Sequence, residues 1–153
     1  MKEKMLTPDQ DAVIAEIEIA APPERIFQAI TTREQALVWG KGESYEIDGW
    51  EMDTRLGGAW RFTARSVKGG IGKEHHGEII EIDRPRLLVY TWFTNFHEPR
   101  DQRTVVRWEL SPTAAGTRVK VTHSGLAALP NSRKGYNDGW PGLLLAIKTF
   151  VEK

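Results

Sequence analysis

Cysteine is absent from this sequence, and its absence excludes several kinds of site at once. Without thiols the chain forms no disulfide, offers no thiolate to a metal ion and has no cysteine nucleophile. The sequence also lacks an apolar run of about eighteen residues, the length that a membrane-spanning helix needs. The polar residues that follow Met1 do not have the pattern of a signal peptide. We therefore expect a cytoplasmic protein that does not insert into a membrane.

Net charge is also lacking, because 21 basic residues are balanced by 21 acidic residues. A neutral chain has no general attraction to nucleic acid or to anionic lipid, so neither is an expected partner. The 153 residues, of which 40% are hydrophobic, suffice for one domain with a substantial core. We predict a single domain over residues 1–153, with an ordered core from about residue 12.

The C-terminal residues carry the clearest helical pattern. Five apolar residues recur at the spacing of one helical face: Trp140, Leu143, Leu144, Ile147 and Val151. A helix of about thirteen residues is about 20 Å long, close to the ~23 Å of a strand of about seven residues. Because a proline inside a helix costs about 3 kcal/mol, Pro141 predicts either that the helix begins there or that it bends there.

Alternation of apolar and polar residues predicts β-strands through most of the remaining chain. These runs cover residues 13–19, 59–65, 76–82, 104–110 and 118–124, with a further period-two segment after residue 44. Residues 87–93 are apolar throughout, which predicts a central strand covered on both faces. Links of hairpin length, including a glycine-rich loop at 68–72, predict antiparallel pairing. The strand at 13–19 is expected to lie beside the last strand.

Two short helices are predicted after the first strand. Pro22 and Pro23 suit the first turn of a helix, where a backbone N–H has no helical partner to lose. Thr32 and Gln35 have the spacing of a capping box that begins the second helix, and Gly40 ends it. The predicted fold class is therefore α+β, with a curved antiparallel sheet of about seven strands wrapped around a long C-terminal helix.

A series of short motifs runs through the chain from about Val13 to Lys153. The motifs are Ile17-Glu18-Ile19-Ala20-Ala21-Pro22, Ile26-Phe27-Gln28-Ala29-Ile30-Thr31, Trp39, Gly57-Gly58, Gly77-Glu78-Ile79, Arg86-Leu87-Leu88, Tyr90-Thr91-Trp92, Gly116-Thr117, Thr122-His123-Ser124-Gly125 and Gly139-Trp140. In this order they resemble the bacterial homologues of the activator of heat-shock-chaperone ATPase. That family belongs to the START and birch-pollen-allergen superfamily, also called SRPBCC.

The resemblance implies a helix-grip fold, in which a strongly bent antiparallel sheet holds the terminal helix around an internal cavity. Members of the superfamily include carriers of lipids, hormones and polyketides, and also some cyclases and dehydratases. The eukaryotic namesake of the family stimulates a chaperone ATPase with a chain that has an additional domain. We therefore do not expect a chaperone interaction from this helix-grip module.

Six tryptophans in 153 residues are the most informative feature for function. Strand parity places several aromatic side chains on the sheet face that meets the helix. We predict an apolar pocket lined by Trp60, Phe62, Tyr90, Trp92, Trp108, His123, Trp140 and Leu144, with Trp39 at its mouth. An alternative stays open, in which the same side chains simply fill the core.

The sequence leaves three classes of function. The leading hypothesis is a protein that binds a hydrophobic small molecule, lipid-like or aromatic, in this pocket. The first alternative is an enzyme that acts on a hydrophobic or polyketide-like substrate in the same cavity, with His123, Tyr90 or Glu78 as acid or base. The second alternative is a protein-interaction or co-chaperone module, which needs no cavity. A homodimer is also left open.

Neither a cofactor nor a metal site is predicted. The histidines are His75, His76, His97 and His123, and they do not form the i, i+4 pair that is typical of helical zinc sites. His75 and His76 point to opposite faces of a strand, so they cannot chelate one ion together. We predict that this pair lies at a solvated strand start.

Overall fold

A computed structural model of the chain describes residues 3–42, 45–68 and 72–153, with side chains from residue 6 onward. The strands in these residues are β1 (Glu3–Leu6), β2 (Val13–Ile19), β3 (Tyr45–Met52), β4 (Ala59–Ser66), β5 (Lys73–Asp83), β6 (Leu87–Thr94), β7 (Thr104–Pro112) and β8 (Thr117–Ser124). Helices α1 (Pro23–Thr31) and α2 (Arg33–Trp39) follow β2. A short 3₁₀ turn at Leu126–Ala128 leads into α3 (Pro130–Val151). The glycine-rich loop predicted at 68–72 lies largely outside the described residues.

The strands form one antiparallel sheet in the order β1-β2-β8-β7-β6-β5-β4-β3. Val13 on β2 lies opposite His123 on β8, so the first predicted strand does lie beside the last. Buried and half-buried residues alternate along both strands, as in a sheet that covers the core with one face. β6 is buried at seven of its eight positions, as its uninterrupted apolar sequence predicts. The predicted helix-grip fold, with the curled sheet around α3, is confirmed.

Strand β1 is an element that the apolar pattern does not predict. It pairs with β2 alone, with Glu3 opposite Glu16 and Leu6 opposite Val13. A short strand at the edge of a sheet gains its backbone hydrogen bonds from one neighbour and needs no apolar alternation of its own. Over the described residues the sheet therefore has eight strands, one more than the predicted number of about seven.

The two short helices lie where the prolines and Gly40 predict them. The predicted capping box is wrong. Thr32 Oγ1 donates a hydrogen bond to the Gln28 carbonyl at the end of α1, 2.9 Å away, and makes no cap to α2. The Gln35 side chain accepts a hydrogen bond from Arg25. Because Thr32 alone separates the helices, its hydroxyl satisfies a carbonyl of the preceding helix.

Helix α3 is longer than predicted, with 22 residues that begin at Pro130. The prediction that the helix begins at Pro141 is wrong, because Pro141 lies inside it; a bend at Pro141 stays a prediction. The first turns of α3, residues 131–139, are exposed or half-buried and carry no apolar stripe, so periodicity cannot detect them. Pro130 occupies the first turn, where proline is well tolerated.

The second half of α3 packs against the sheet. Its buried residues are Trp140, Pro141, Leu144, Ile147 and Val151, which confirms the predicted apolar stripe except for the half-buried Leu143. The end of the helix is tied to the end of β2 by polar contacts. Lys148 Nζ donates to the Glu18 carbonyl at 2.9 Å, and Glu152 Oε2 accepts the Ala20 N–H at 2.7 Å. These contacts fix the position of α3 across the concave face of the sheet.

Candidate functional site

A cavity of about 530 Å³ lies between α3, the end of α2 and strands β3 to β6. Its lining is mainly apolar and aromatic. The lining residues are Trp39, Gly40, Lys41, Gly42, Tyr45, Ile47, Phe62, Ala64, Lys73, His75, Trp92, Tyr136, Gly139, Trp140, Gly142, Leu143 and Ala146. Several of them, including Lys41, Tyr45 and Gly142, are exposed. The cavity therefore opens to solvent along one side of α3.

Small residues keep this space from being filled. Gly139, Gly142 and Ala146 follow each other at i, i+3 and i+7 on α3, and Ala64 faces the cavity from β4. Apart from the adjoining residues and the backbone of α3 itself, no heavy atom of the described residues lies within 4 Å of the place where a Cβ of Gly139 or Gly142 would stand. Sequence reasoning missed these residues because it searched for apolar side chains. The sequence pattern that could have revealed them is the helical spacing of these small residues, which places them on one face of α3.

The structure divides the nine predicted lining residues into two groups. Trp39, Phe62, Trp92 and Trp140 line the cavity. The other five, Trp60, Tyr90, Trp108, His123 and Leu144, are buried in the hydrophobic core and are not part of the lining. The two readings of the aromatic residues, lining and filling, thus apply to different parts of the interior. A ligand-binding role for any of the nine stays a prediction.

The filled part of the interior is held by hydrogen bonds as well as by ring contacts. Trp60 Nε1 donates to the Thr91 carbonyl at 2.9 Å, and Trp108 Nε1 donates to the Tyr90 hydroxyl at 2.8 Å. Burial raises the pKa of Tyr90 above its usual value. Each of these buried polar groups therefore has a hydrogen-bond partner within the filled part of the core.

His123 is at the centre of a continuous hydrogen-bond chain. Trp140 Nε1 donates to His123 Nδ1 at 3.2 Å, and His123 Nε2 lies 2.9 Å from Thr104 Oγ1. Thr104 Oγ1 in turn donates to the Trp92 carbonyl at 2.9 Å. Since Nδ1 accepts, the ring is neutral with its proton on Nε2. Burial, with smaller contributions from His97 and His75, lowers the pKa of His123 well below the usual value.

His75 and His76 lie on opposite faces of β5, as strand parity predicts, but the prediction that both are solvated is wrong. His76 is exposed and stacks on Phe93, whereas His75 is 7% exposed and lines the cavity. The His75 ring stacks on Phe62 with centroids 4.0 Å apart, and its Nδ1 has no hydrogen-bond partner. Burial lowers the pKa of His75 to about 3. The side chain of His75 faces the interior because His75 lies directly opposite Phe62 on β4, and side chains of paired residues lie on the same face of the sheet.

Tyr136 is a cavity residue that sequence reasoning did not select. Its hydroxyl accepts a hydrogen bond from Trp92 Nε1 at 3.1 Å and lies 2.6 Å from His97 Nε2. His97 is 2% exposed, and burial lowers its pKa. Burial raises the pKa of Tyr136. The first turns of α3, whose helical state the apolar pattern does not indicate, thus contribute a polar group to the cavity wall.

Trp39 lies at the end of α2 and lines the cavity; its place at the mouth stays a prediction. Its Nε1 donates to the Ala29 carbonyl on α1 at 2.8 Å. Its ring meets Trp50 in an edge-to-face contact with centroids 5.7 Å apart. Both contacts hold the Trp39 ring in place.

The residues that the structure describes contain no group of three or more histidine or acidic side chains that could hold a metal ion. Within the same residues, no helix combines the length and the apolar character that crossing a bilayer requires.

Several solved structures share the fold at low sequence identity. A protein of Chromobacterium violaceum superposes with a TM-score of 0.81 at 20% identity, covering 94% of this chain and 99% of that one. A protein of Mesorhizobium loti reaches 0.71 at 24% identity, with 92% and 96% covered. An AHSA1-like protein of Aeromonas hydrophila reaches 0.75 at 20% identity, with 99% and 92% covered. At these identities the likeness concerns the fold alone.

Sequence comparison identifies the family. No protein with a curated function matches the chain. The sequence profile of one family, described as "Activator of Hsp90 ATPase homolog 1-like protein", matches residues 20–152. This range covers both short helices, strands β3 to β8 and all of α3. The chain therefore belongs to the Activator of Hsp90 ATPase homolog 1-like family.

Proposed function

We propose that this protein binds a small, flat, apolar molecule in the cavity between α3 and the sheet. The observation that carries the proposal is the cavity itself, about 530 Å³ in volume. Ligand pockets in proteins commonly measure about 300 to 1,000 Å³ and are lined by apolar side chains with a few polar groups. A module that only bound other proteins would need no such space.

The walls of the cavity favour a flat ligand. Phe62, Trp92 and Trp140 present rings from three different elements, and Trp39 and Tyr136 complete the aromatic lining. Burying about 300 Å² of apolar ligand surface would contribute about 7.5 kcal/mol before the entropy cost of association. The hydrogen bonds of Trp39, Trp92 and Trp140 fix their rings in advance, so little side-chain entropy is lost when a ligand enters.

The arrangement favours binding over catalysis. The enzyme alternative named His123, Tyr90 and Glu78, and none of these lines the cavity. Glu78 is exposed on β5, and the other two are buried in the filled core. A general acid or base works best with a pKa near the working pH. His75, with its pKa lowered to about 3, and Tyr136, with its pKa raised, both depart from that condition.

A cavity-filling variant tests the proposal. Ala64 lies on β4 and faces the cavity, whereas Ala59 lies on the same strand with its side chain exposed. We expect Ala64→Phe to weaken binding of the neutral fluorescent probe N-phenyl-1-naphthylamine at least tenfold, because the new ring occupies the ligand's space. Ala59→Phe, the matched control, should leave the affinity within about twofold of the unmodified protein. Fluorescence titration measures both.

Two outcomes would contradict the proposal. One is a folded Ala64→Phe variant that binds the probe as tightly as the unmodified protein. The other is the lack of any saturable binding by the unmodified protein to a panel of neutral polycyclic probes. Far-UV circular dichroism and thermal unfolding check that Ala64→Phe is folded. As an independent measurement, native mass spectrometry of protein purified from expressing cells should reveal a retained small molecule.

A further inference from the structure

We propose that the ligand is an aromatic carboxylic acid, with its ring system inside the cavity and its carboxylate at the rim between Lys73 and Lys41. This inference rests on the proposed function and specifies the chemistry of the same site. It depends on the charges around the rim, on the way Lys73 is held, and on the neutral state of His75 deeper in the cavity.

The charged side chains that line the cavity are of one sign. They are Lys41, which follows α2, and Lys73, the first residue of β5. No aspartate or glutamate occurs among the described lining residues, which do not include positions 43 and 44. Among the described lining residues, this otherwise apolar cavity therefore carries two positive charges and no negative charge, in a chain whose formal net charge is zero.

Lys73 is positioned by aromatic rings and not by an acid. Its Nζ lies 4.7 Å from the centroid of the Tyr45 ring and 5.1 Å from that of Phe96. Among the described residues no carboxylate lies within ion-pair distance of it. Lys148, by contrast, pairs with Glu152 at 2.6 Å. Cation–π contacts hold an ammonium group in place without neutralising its charge, so Lys73 can still bind an anion.

His75 determines how deep the negative charge can lie. It stands two residues after Lys73, on the same face of β5, and it is buried in the cavity wall. Its lowered pKa leaves the ring neutral at pH 7, so it offers hydrogen bonding but no positive charge. An anion buried without an opposite charge is strongly disfavoured. The carboxylate must therefore stay at the lysines, while the apolar body of the ligand enters the cavity.

A matched pair of ligands tests the inference. 2-Naphthoic acid is anionic at pH 7, and 2-naphthamide has nearly the same shape without the charge. We expect the unmodified protein to bind the acid at least tenfold more tightly than the amide, as measured by displacement of N-phenyl-1-naphthylamine. The preference should shrink as salt concentration rises, because the site is open to solvent.

Lysine variants identify the groups responsible. Lys73→Gln should remove most of the preference for the acid over the amide, and the double variant with Lys41→Gln should abolish that preference. Lys73→Arg should retain the preference, since its charge is unchanged. Lys134→Gln is the control: it removes one lysine from an exposed position on α3 that is not part of the cavity lining.

The possible outcomes separate this inference from the proposed function. If the amide binds the unmodified protein as tightly as the acid, or if the double lysine variant keeps the preference, the inference is wrong while the binding function stands. If neither ligand displaces the probe and the probe itself does not bind, both are wrong. An equal loss of preference in Lys134→Gln would also overturn the inference, because the effect would then come from total charge.

Discussion

The free energy of unfolding is expected to fall by about 3 kcal/mol per pH unit below about pH 6, because His75 and His123 are buried in the neutral form. An unfolded histidine titrates near pH 6.5. Above that pH neither the folded nor the unfolded chain carries these protons, so the two histidines contribute no pH dependence. Below it the unfolded chain binds two protons that the folded chain excludes, and each contributes about 1.36 kcal/mol per pH unit.

The loss of stability continues until the folded histidines themselves titrate, at a pKa of about 3 for His75. The pKa of His97 is also lowered by burial, so this residue should steepen the dependence. A total stability of about 5 to 15 kcal/mol would then be exhausted within a few pH units. Urea unfolding followed by tryptophan fluorescence at a series of pH values measures the slope.

Neighbouring histidines provide the control for this prediction. His75→Gln should reduce the slope by about 1.36 kcal/mol per pH unit, because one buried neutral group is removed. His76→Gln changes the exposed histidine next to it and should leave the slope unaltered. A stability that stays constant between pH 7 and pH 5, or equal slopes for the two variants, would contradict the prediction.

Replacement of Gly77 by alanine should prevent stable folding. A Cβ at Gly77 would stand 1.9 Å from the Thr91 carbonyl oxygen and 2.6 Å from Trp60 Nε1. Those two atoms form a buried hydrogen bond that passes directly over Gly77. Overpacking of a core usually costs about 1 to 3 kcal/mol, and an unsatisfied buried donor costs a similar amount again. Because the first clash is with backbone, a change of side-chain rotamer cannot relieve it.

Gly72→Ala is the matched substitution, since among the described residues that do not adjoin it the nearest heavy atom to its Cβ would be the Ala64 carbonyl oxygen, 3.7 Å away, an ordinary contact. We expect Gly72→Ala to keep its unfolding midpoint within a few degrees of that of the unmodified protein. Gly77→Ala should lose most of its stability or accumulate in insoluble form. Thermal unfolding by circular dichroism compares the two. Equal midpoints for both variants would show that strand β5 shifts to accept the extra methyl group.

The fold was largely predictable because period-two and period-3.6 patterns specify which face of each element is buried. What these patterns do not specify is how much of the interior is filled. Trp108 and Phe62 are both inward-facing by parity, yet only Phe62 borders the cavity. The difference arises from Ala64, Gly139 and Gly142, where a side chain is small or absent. A search for hydrophobic residues cannot register a missing side chain.

The histidines illustrate a second limit of the sequence. The alternation of side chains along a strand predicts that His75 and His76 lie on opposite faces of the sheet, but it does not predict which of the two faces the protein interior. The answer depends on the register of β5 with β4, which places His75 opposite Phe62. A cytoplasmic location and a homodimer stay predictions from the sequence.

The glycines of α3 create a conflict between thermal stability and the size of the ligand that can enter. In a helix interior, glycine is less favourable than alanine by about 0.8 to 1.0 kcal/mol. Gly139 and Gly142 could therefore mutate to alanine with a gain in helix stability and no steric obstacle. Each such change would also narrow the opening beside the helix. Laboratory selection for heat resistance alone should therefore enrich these two substitutions and yield proteins that are more thermostable but bind only smaller ligands. Selection for ligand binding should preserve the two glycines.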